Sequence, residues 1–143
     1  MTDKKNTYCK CLYYSANALA RGITKMAEEA FSVVNLAPSY AFIVMTVNKK
    51  SGLQAGELAQ IMMLKPSTVT RLLQKLEIQD LIKRQTVGRL TLIYATPKSL
   101  EINNKIESAW FLLYQNYVKI LGEEFANQLT ENVYSSALKL EKV

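Results

Sequence analysis

Apolar residues recur every three or four positions along three long stretches of the chain, and each stretch predicts an amphipathic helix. The stripe of the first helix comprises Leu12, Ala16, Leu19, Ile23, Met26, Ala30 and Val33. It ends near Asn35, a residue that tolerates the left-handed conformation of a helix end. Two similar stripes lie near the other end of the chain, namely Ile102, Ile106, Trp110, Leu113, Tyr117 and Ile120, followed after Gly122 by Phe125, Leu129, Val133, Ala137 and Leu140.

Prolines mark the starts of two shorter helices in the central region, because proline suits the first helical turn. Pro38 opens a helix through the apolar segment at residues 41–47, and residues 54–63 form a third predicted helix. Pro66 opens a fourth predicted helix, with an apolar stripe of Val69, Leu72, Leu73 and Leu76. Two helices joined by a short turn, the second with an exposed polar face, form the helix-turn-helix pattern.

Residues 81–96 alternate with a period of two and predict a β-hairpin, or wing, that turns at Val87-Gly88. Thr96-Pro97 then starts the fifth helix, as a capping hydroxyl followed by proline. The predicted fold class is therefore mainly α. A winged helix-turn-helix lobe with a two-stranded β wing (residues 38–96) is flanked by long N- and C-terminal dimerisation helices (residues 8–35 and 97–143). Residues 1–143 form one domain.

The flanking helices are too long for the central lobe alone to cover their apolar stripes. A helix of roughly 24 residues is about 36 Å long and needs partners along that whole length. The first, fifth and sixth helices could cover each other within one chain, or a second copy could supply the partners in a two-fold dimer. We favour the homodimer, because heptad-like spacing recurs in two of the helices.

Composition and charge narrow the function classes. The 143 residues are 49% apolar, enough for one domain with a core, and the net charge is +6. Six cations and two acids lie between Lys65 and Arg89, so most of the excess charge is there, which favours nucleic acid as a partner. The chain lacks histidine, a glycine-rich phosphate loop and the ligands for a classical zinc site, so we expect no enzyme activity, metal or cofactor. Without a long apolar run or a secretory signal, a cytoplasmic protein without a membrane partner is expected.

The fourth predicted helix carries the candidate DNA-binding side chains opposite its apolar stripe. They are short hydroxyls, an amide and long cations, namely Ser67, Thr68, Thr70, Arg71, Gln74 and Lys75. Hydroxyls bond phosphates or base edges, Arg and Lys pair with guanine, and Gln pairs with adenine. Arg84 and Arg89 extend the candidate surface onto the wing.

The central region resembles the MarR family of bacterial transcription regulators. The resemblance is carried by Gly56-Glu57-Leu58-Ala59, Leu64, residues 67–72, Leu76-Glu77, residues 81–84 and Ala95-Thr96. It implies a homodimer in which the outer helices associate and the fourth helix enters the major groove of double-stranded DNA, at a pseudo-palindromic operator. It also implies a transcriptional regulator, which we interpret as a repressor released by an inducer.

The wing departs from the family pattern, which commonly carries an Asp-x-Arg pair in a longer loop. Here the loop QTVGRLT is short and has no acidic residue. Arg89 is the cation at its tip and the candidate for insertion into the minor groove. The short wing also leaves open a second class, a winged-helix adaptor that binds proteins and no DNA.

The segment Cys9-Lys10-Cys11-Leu12-Tyr13 resembles the first-helix start of the organic-hydroperoxide-sensing branch of this family. The resemblance gives Cys9 the reactive position and Tyr13 the tyrosine. Pro38-Ser39-Tyr40 matches the Pro-x-Tyr pattern of the same branch, so the resemblance adds Tyr40 to the candidate effector residues. The implied effector is then a peroxide.

The chemistry of the two cysteines leaves alternatives open. A cysteine at a helix N-terminus beside Lys10 favours the thiolate, which peroxide oxidises to a sulfenic acid. Alternatively, Cys11 is a small core residue and Cys9 an ordinary one. We expect no bridge between them, because residues two apart on a helix point to nearly opposite sides. A thiol redox protein is a third alternative, although the chain has no CxxC motif.

Aromatic residues offer another candidate effector site. The candidate aromatic side chains are Tyr8, Tyr13, Tyr14, Tyr40 and Trp110. Many members of the family bind small aromatic effectors between the dimerisation helices and the lobe, so the resemblance implies such a ligand. Ordinary core packing is the alternative for each ring.

Overall fold

The computed structural model describes residues 6–141 and is mainly α-helical. The chain order is α1 (Leu12–Phe31), a short 3-10 helix (Ser32–Val34), α2 (Pro38–Lys49), β1 (Leu53–Gln54), α3 (Ala55–Met62), α4 (Pro66–Ile78), β2 (Ile82–Val87), β3 (Leu90–Ala95), α5 (Pro97–Leu121) and α6 (Glu123–Glu141). Pro38, Pro66 and Pro97 each begin a helix, as their fixed φ and missing N–H favour. The predicted fold class, a mainly α winged helix-turn-helix protein, is confirmed.

The sheet has three strands, one more than the pattern predicted. β1 pairs antiparallel with β3, with Leu53 opposite Ile93, and β2 pairs with the other edge of β3, giving the order β1-β3-β2. β1 has only two residues and is too short to produce an alternating pattern. Gln54, assigned from the pattern to the third helix, belongs to β1 instead.

The wing turns at Gly88-Arg89 and not at Val87-Gly88. Val87 pairs with Leu90 across the hairpin, so two residues remain for the loop. Gly88 has a φ of +61°, in the left-handed region that a β-branched valine occupies only with strain. The turn therefore places Arg89 at the tip of the wing.

The chain forms two compact units, and the winged helix-turn-helix lies in the one formed by Glu28–Trp110, here called the central unit. Its buried side chains come from α1 to α5 and from all three strands, and the largest include Phe31, Ile43, Val44, Val47, Leu58, Val69, Leu73, Leu76, Ile82, Ile93 and Ile106. The predicted apolar stripe of α4 is buried at Val69, Leu73 and Leu76, and half-buried at Leu72.

The second unit, here called the helical unit, comprises residues 6–27 and 111–141 of the described chain. Among the apolar residues described in it, Ala27, Leu113 and Ala126 are the buried ones. Large apolar side chains are exposed along all three of its helical segments, including Leu12, Tyr13, Leu19, Phe111, Leu112, Ile120, Phe125, Val133, Tyr134 and Leu140. One copy of the chain therefore leaves much of these stripes in contact with water.

α1 begins at Leu12 rather than at residue 8, so Cys9 and Cys11 lie in a preceding turn. The Cys9 N–H donates to the carbonyl of Asn6 at 3.1 Å, and the Cys11 N–H donates to that of Tyr8 at 2.9 Å. The Cys11 carbonyl accepts the Ser15 N–H at 3.0 Å and so starts the helical bonding. The expectation that both thiols lie on a helix was therefore wrong. Both are free and exposed.

Within residues 6–141, no single helix is both long and apolar enough to cross a membrane, and Leu12–Val34 and Pro38–Lys49 reach that length and apolarity only as a bent pair.

Candidate nucleic-acid interface

The orientation of α4 is fixed by its buried stripe, and the candidate DNA-binding residues occupy the rest of its surface. Ser67, Thr70, Arg71, Gln74 and Lys75 are exposed, as the pattern predicted. The Thr70 hydroxyl donates to the carbonyl of Pro66 at 3.0 Å, so its oxygen remains available as an acceptor. The sixth candidate, Thr68, is half-buried. α4 therefore presents hydroxyl, amide and cationic groups together.

The exposed face of α4 has a net positive charge. Lys65, Arg71 and Lys75 are all exposed. The single acidic residue in the α4 sequence is Glu77, and its carboxylate is held by Arg84. These cations therefore face water while the carboxylate of α4 is engaged by Arg84, which suits a polyanion.

The turn between α3 and α4 is built around Met63, whose φ is +54°. The Met63 N–H donates to the carbonyl of Gln60 at 3.1 Å, and the Leu64 N–H donates to that of Ala59 at 3.1 Å. The second bond satisfies a terminal carbonyl of α3, as in a Schellman helix end. α2 is also joined to α3, through an ion pair between Lys50 and Glu57.

Arg84 joins the wing to α4 through three hydrogen bonds to one carboxylate. Its Nη2 and Nε donate to Glu77 Oε1 at 2.8 and 3.3 Å, and its backbone N–H donates to Glu77 Oε2 at 3.1 Å. These bonds from Arg84 hold the pKa of Glu77 below the 4.5 of an ordinary glutamate, although partial burial acts in the opposite direction. Arg84 was selected from the sequence as a DNA-binding residue. Its guanidinium has a protein partner, and a DNA contact stays a prediction.

The wing presents Arg89 at its tip with apolar neighbours. Arg89 is exposed, and Val87 and Leu90 beside it are 50% and 46% exposed. The hairpin ladder continues through the Val87–Leu90 pair, so the tip is held close to the strands. The arrangement suits contact with a groove or with a protein surface.

Sequence reasoning missed a buried polar cluster at the start of α5. Thr96 and Ser99 are 3% and 0% exposed, and both hydrogen-bond across to other elements. The pattern Thr96-Pro97-Lys98-Ser99 could have indicated a helix cap with hydroxyls three residues apart. Its partners, Asn48 and the carbonyl of Asp80, are distant in sequence and carry no signal in the pattern.

The candidate effector residues are distributed over both units. In the helical unit Cys9, Cys11 and Tyr13 are exposed, and the Tyr8 ring lies 5.7 Å from the Tyr14 ring. Asn6 Nδ2 donates to the Tyr14 hydroxyl at 2.6 Å. In the central unit Tyr40 is half-buried, and Trp110 contacts Phe42 edge to face with ring centroids 6.0 Å apart.

No group of three or more His, Cys, Asp or Glu side chains within residues 6–141 is arranged to hold a metal ion.

The helical unit contains a groove of about 390 Å³. Its lining comes from α1, α5 and α6 and is almost entirely apolar, with Leu19, Ile23, Tyr117, Leu121, Ala126, Leu129, Thr130, Val133, Tyr134 and Ala137. Such a groove can accept an apolar side chain or helix.

Comparison with known proteins relates this geometry to one family. The MarR family sequence model matches residues 36–86, which contain α2, β1, α3, α4 and most of β2. A comparison with curated protein sequences gives no match.

Solved structures extend the likeness to nearly the whole chain. AbsC, a MarR family transcriptional regulator from Streptomyces coelicolor, has a TM-score of 0.79 at 17% identity, covering 99% of this chain and 100% of that one. The MepR–DNA complex of Staphylococcus aureus has a TM-score of 0.77 at 20% identity, covering 90% and 97%. CouR of Rhodococcus jostii RHA1, bound to p-coumaroyl-CoA, has a TM-score of 0.75 at 19% identity, covering 93% and 96%. At these identities the likeness shows a common fold.

The Glu77–Arg84 pair predicts a pH-dependent contribution to stability. Because the folded-state pKa of Glu77 is depressed, the contribution is present above the unfolded pKa near 4.5 and is lost as pH falls through the lower folded value. Glu77→Gln should therefore lower the free energy of unfolding at pH 7 by at most about 1 kcal/mol, since the carboxylate is 37% exposed and screened by water. The difference from wild type should shrink towards pH 3.

Urea unfolding at several pH values measures this effect. Glu107→Gln, at an exposed glutamate of α5, is the matched control. An equal pH profile for both variants would contradict the role assigned to the pair.

Proposed function

We propose that this chain is a member of the MarR family and acts as a homodimeric, sequence-specific DNA-binding transcriptional regulator, because residues 36–86 match the MarR family model and the chain has the fold of solved MarR family regulators. α4 is its recognition helix. In this proposal residues 38–96 form the DNA-binding lobe, and the flanking segments at residues 8–35 and 97–143, which contain α1, α5 and α6, form the dimer.

The exposed face of α4 is the observation that carries this proposal. The major groove is about 12 Å wide and admits one α-helix. An exposed helix whose face combines Arg71, Gln74 and Lys75 with the hydroxyls of Ser67, Thr68 and Thr70 has the groups that reach base edges and phosphates. MepR, a protein of the same fold, has been solved as a complex with DNA, which supports the assignment.

The wing would add a second contact beside the recognition helix. Arg89 is exposed at the tip of a two-residue turn, where a guanidinium can enter a narrow minor groove. Arg84 would act differently, since its guanidinium is engaged by Glu77 and so fixes β2 against α4. We therefore assign Arg89 to DNA contact, and assign Arg84 first to holding the wing in place.

The exposed apolar residues of the helical unit support the homodimer. Leu12 and Ile120 are each 72% exposed, and Leu140 is 65% exposed. Soluble monomers rarely leave large contiguous apolar surfaces in water. A second copy of the same three helices is the partner that supplies matching apolar stripes under two-fold symmetry. The dimer would then present two copies of α4 to successive major grooves of a pseudo-palindromic operator.

Regulation would act through the distance between the two recognition helices. A dimer binds its operator tightly only if both copies of α4 match successive grooves, so a ligand that favours another spacing releases the DNA. This makes the protein a repressor released by an inducer. CouR, of the same fold, is bound to p-coumaroyl-CoA. We propose a small aromatic molecule or a peroxide as the inducer here, with Tyr40, Tyr13 and the two cysteines as candidate contacts.

Arg71→Ala should lower affinity for the operator by roughly 10- to 100-fold, because a good contact from Arg to a base edge is worth about 1–3 kcal/mol. Fluorescence anisotropy with the duplex upstream of the protein's own gene measures the loss. Arg21→Ala, at an exposed arginine of α1, removes the same charge away from α4 and should retain affinity. Equal behaviour of the two variants would contradict the assignment of Arg71.

The salt dependence of the same titration separates a regulator from the alternative adaptor. Binding to DNA phosphates releases counterions, so the logarithm of the affinity should fall linearly and steeply with the logarithm of salt concentration. An adaptor that recognises proteins would show no such binding to duplex DNA.

Val133→Glu should convert the dimer to a monomer, because Val133 is 50% exposed and lines the apolar groove of the helical unit. A buried, unpaired carboxylate at a dimer interface is strongly unfavourable. Sedimentation equilibrium measures the mass against the 16.2 kDa of one chain. Gln128→Glu adds the same charge at an exposed position of α6 outside the residues that line the groove, and should remain dimeric. A monomeric wild type would contradict the homodimer.

The oxidant hypothesis is tested by adding organic hydroperoxide to the protein–operator complex. If Cys9 is the sensor, wild type should lose affinity and regain it with a thiol reductant, whereas Cys9→Ser should be insensitive. Cys11→Ser is the matched control, because both thiols are exposed in the same turn. If hydroperoxide leaves the operator affinity of the wild type unchanged, the oxidant hypothesis is wrong and a small aromatic molecule remains the proposed inducer.

A further inference from the structure

The first turn of α5 holds a buried hydrogen-bond network that the proposed DNA contacts do not use. Thr96 and Ser99 are the buried polar residues among those described in the chain, at 3% and 0% exposure. Every buried side-chain nitrogen and oxygen atom in the described part has a hydrogen-bond partner. A fully satisfied polar cluster in a low-dielectric interior fixes the relative positions of the elements that it joins.

Thr96 and Ser99 cap α5 reciprocally. The Ser99 N–H donates to Thr96 Oγ1 at 3.1 Å, and the Thr96 N–H donates to Ser99 Oγ at 3.0 Å. Two donors at the helix start are thereby satisfied, as in a capping box with serine in the place of glutamate. Both hydroxyls keep a hydrogen to donate elsewhere, so the cap can also join α5 to other elements.

The Ser99 side of the network reaches the end of α2. Ser99 Oγ donates to Asn48 Oδ1 at 2.9 Å. Asn48 Nδ2 donates to the Ser99 carbonyl and to Asn103 Oδ1, each at 2.9 Å. The side-chain amide of Asn48 is therefore engaged on both sides by the first turns of α5, which fixes α5 against α2.

The Thr96 side of the network reaches the end of α4. Thr96 Oγ1 donates to the Asp80 carbonyl at 2.7 Å, and Lys98 Nζ donates to the Gln79 carbonyl at 2.9 Å. Asp80 has a φ of +58°, and a residue other than glycine occupies this region only when its surroundings hold it there. The Leu81 N–H completes the helix end by donating to the Leu76 carbonyl at 2.9 Å.

We infer that Thr96, Ser99 and Asn48 are positioning residues that set sequence specificity by fixing the C-terminal end of α4 to α2 and α5. They lie within the central unit and act through the turn at Asp80 without touching DNA. This inference rests on the proposed function of α4 as a recognition helix. Loss of the network should allow α4 to move relative to α5, which lowers affinity for the operator more than affinity for unrelated duplex.

Two matched pairs of variants test the network. Thr96→Val removes the hydroxyl at nearly constant volume, and Thr96→Ser restores it. Asn48→Asp replaces two N–H donors by a carboxylate that faces two acceptors, and Asn104→Asp makes the same change at an exposed position of α5. The second member of each pair should behave as wild type.

Amide hydrogen exchange provides a readout that does not depend on DNA. The amides of Asp80 and Leu81 should exchange about 5- to 10-fold faster in Thr96→Val and Asn48→Asp, the factor expected for loss of one buried hydrogen bond. Slowly exchanging amides of α3 should change less, because the effect is local. Equal acceleration throughout the central unit, or none at residues 80 and 81, would overturn the inference.

The second readout is the ratio of operator affinity to affinity for unrelated duplex of equal length. Positioning predicts that the ratio falls about 10-fold in Thr96→Val and Asn48→Asp while affinity for unrelated DNA and its salt slope are retained. A purely structural role would lower both affinities equally through the folded fraction. If the wild type binds its operator specifically and the variants show the same affinity ratio as the wild type, the positioning role is overturned and the proposed function still stands. If the wild type shows no specific binding, the proposed function is overturned, and so is the inference that the network sets sequence specificity. Hydrogen exchange would still show whether the network fixes the end of α4.

Discussion

Burial of one side of α4 is the constraint on which the interface depends. Val69, Leu73 and Leu76 are each at most 1% exposed, and their spacing of four and three puts them on one side of the helix. Most of the polar positions of α4, including Arg71, Gln74 and Lys75, therefore face water. Rotating α4 by one residue would direct Thr70, Gln74 and Glu77 towards the core, at several kcal/mol for each unpaired polar or charged group. The apolar core thus holds the polar face outward.

The same constraint explains how much of this protein could be predicted from its sequence. Helical periodicity survives in every long element, so α1, α4, α5 and α6 were predicted with their apolar stripes. The turns and short strands were predicted less accurately than the helices. β1 is two residues long and has no pattern, and the wing turn depends on which residue tolerates a positive φ. The start of α1 at Leu12 follows from local hydrogen bonds between residues 6 and 15, which periodicity does not report.

For the candidate site, the sequence predicted which side chains of α4 are exposed, but not which cations have a partner within the protein. Arg71 and Lys75 follow from the side of α4 on which they lie. Arg84 has the same chemistry and lies in the same basic segment, and its guanidinium is nevertheless engaged by a carboxylate seven residues earlier. Sequence spacing does not distinguish these cases, because the Glu77–Arg84 contact exists only after β2 has packed beside α4. The bonds from Thr96 to Asp80 and from Ser99 to Asn48 are hidden for the same reason, since each joins residues at least 16 positions apart.

Ion pairs that are screened by water contribute little to the free energy of unfolding. The main effect of the bonds around the end of α4 is therefore to fix the position of the helix. A recognition helix must keep its position to within a fraction of an ångström for base contacts to discriminate, and a helix end is the part that frays most easily. Here Arg84 holds Glu77 on one side, and Thr96 and Lys98 hold the next carbonyls on the other. The end of α4 is thereby fixed to both the wing and α5.

In the helical unit, unlike in α4, much of each apolar stripe stays exposed within one copy of the chain. A standard interface buries about 1,600 Å² in total, of which about 65% is apolar in homodimers. Burial of such an apolar area is the favourable contribution that a dimer sets against the cost of association. In the proposed homodimer two copies of α4 would read twice as many bases, so the exposed stripes of α1, α5 and α6 would contribute to operator specificity although they lie outside the proposed recognition helix.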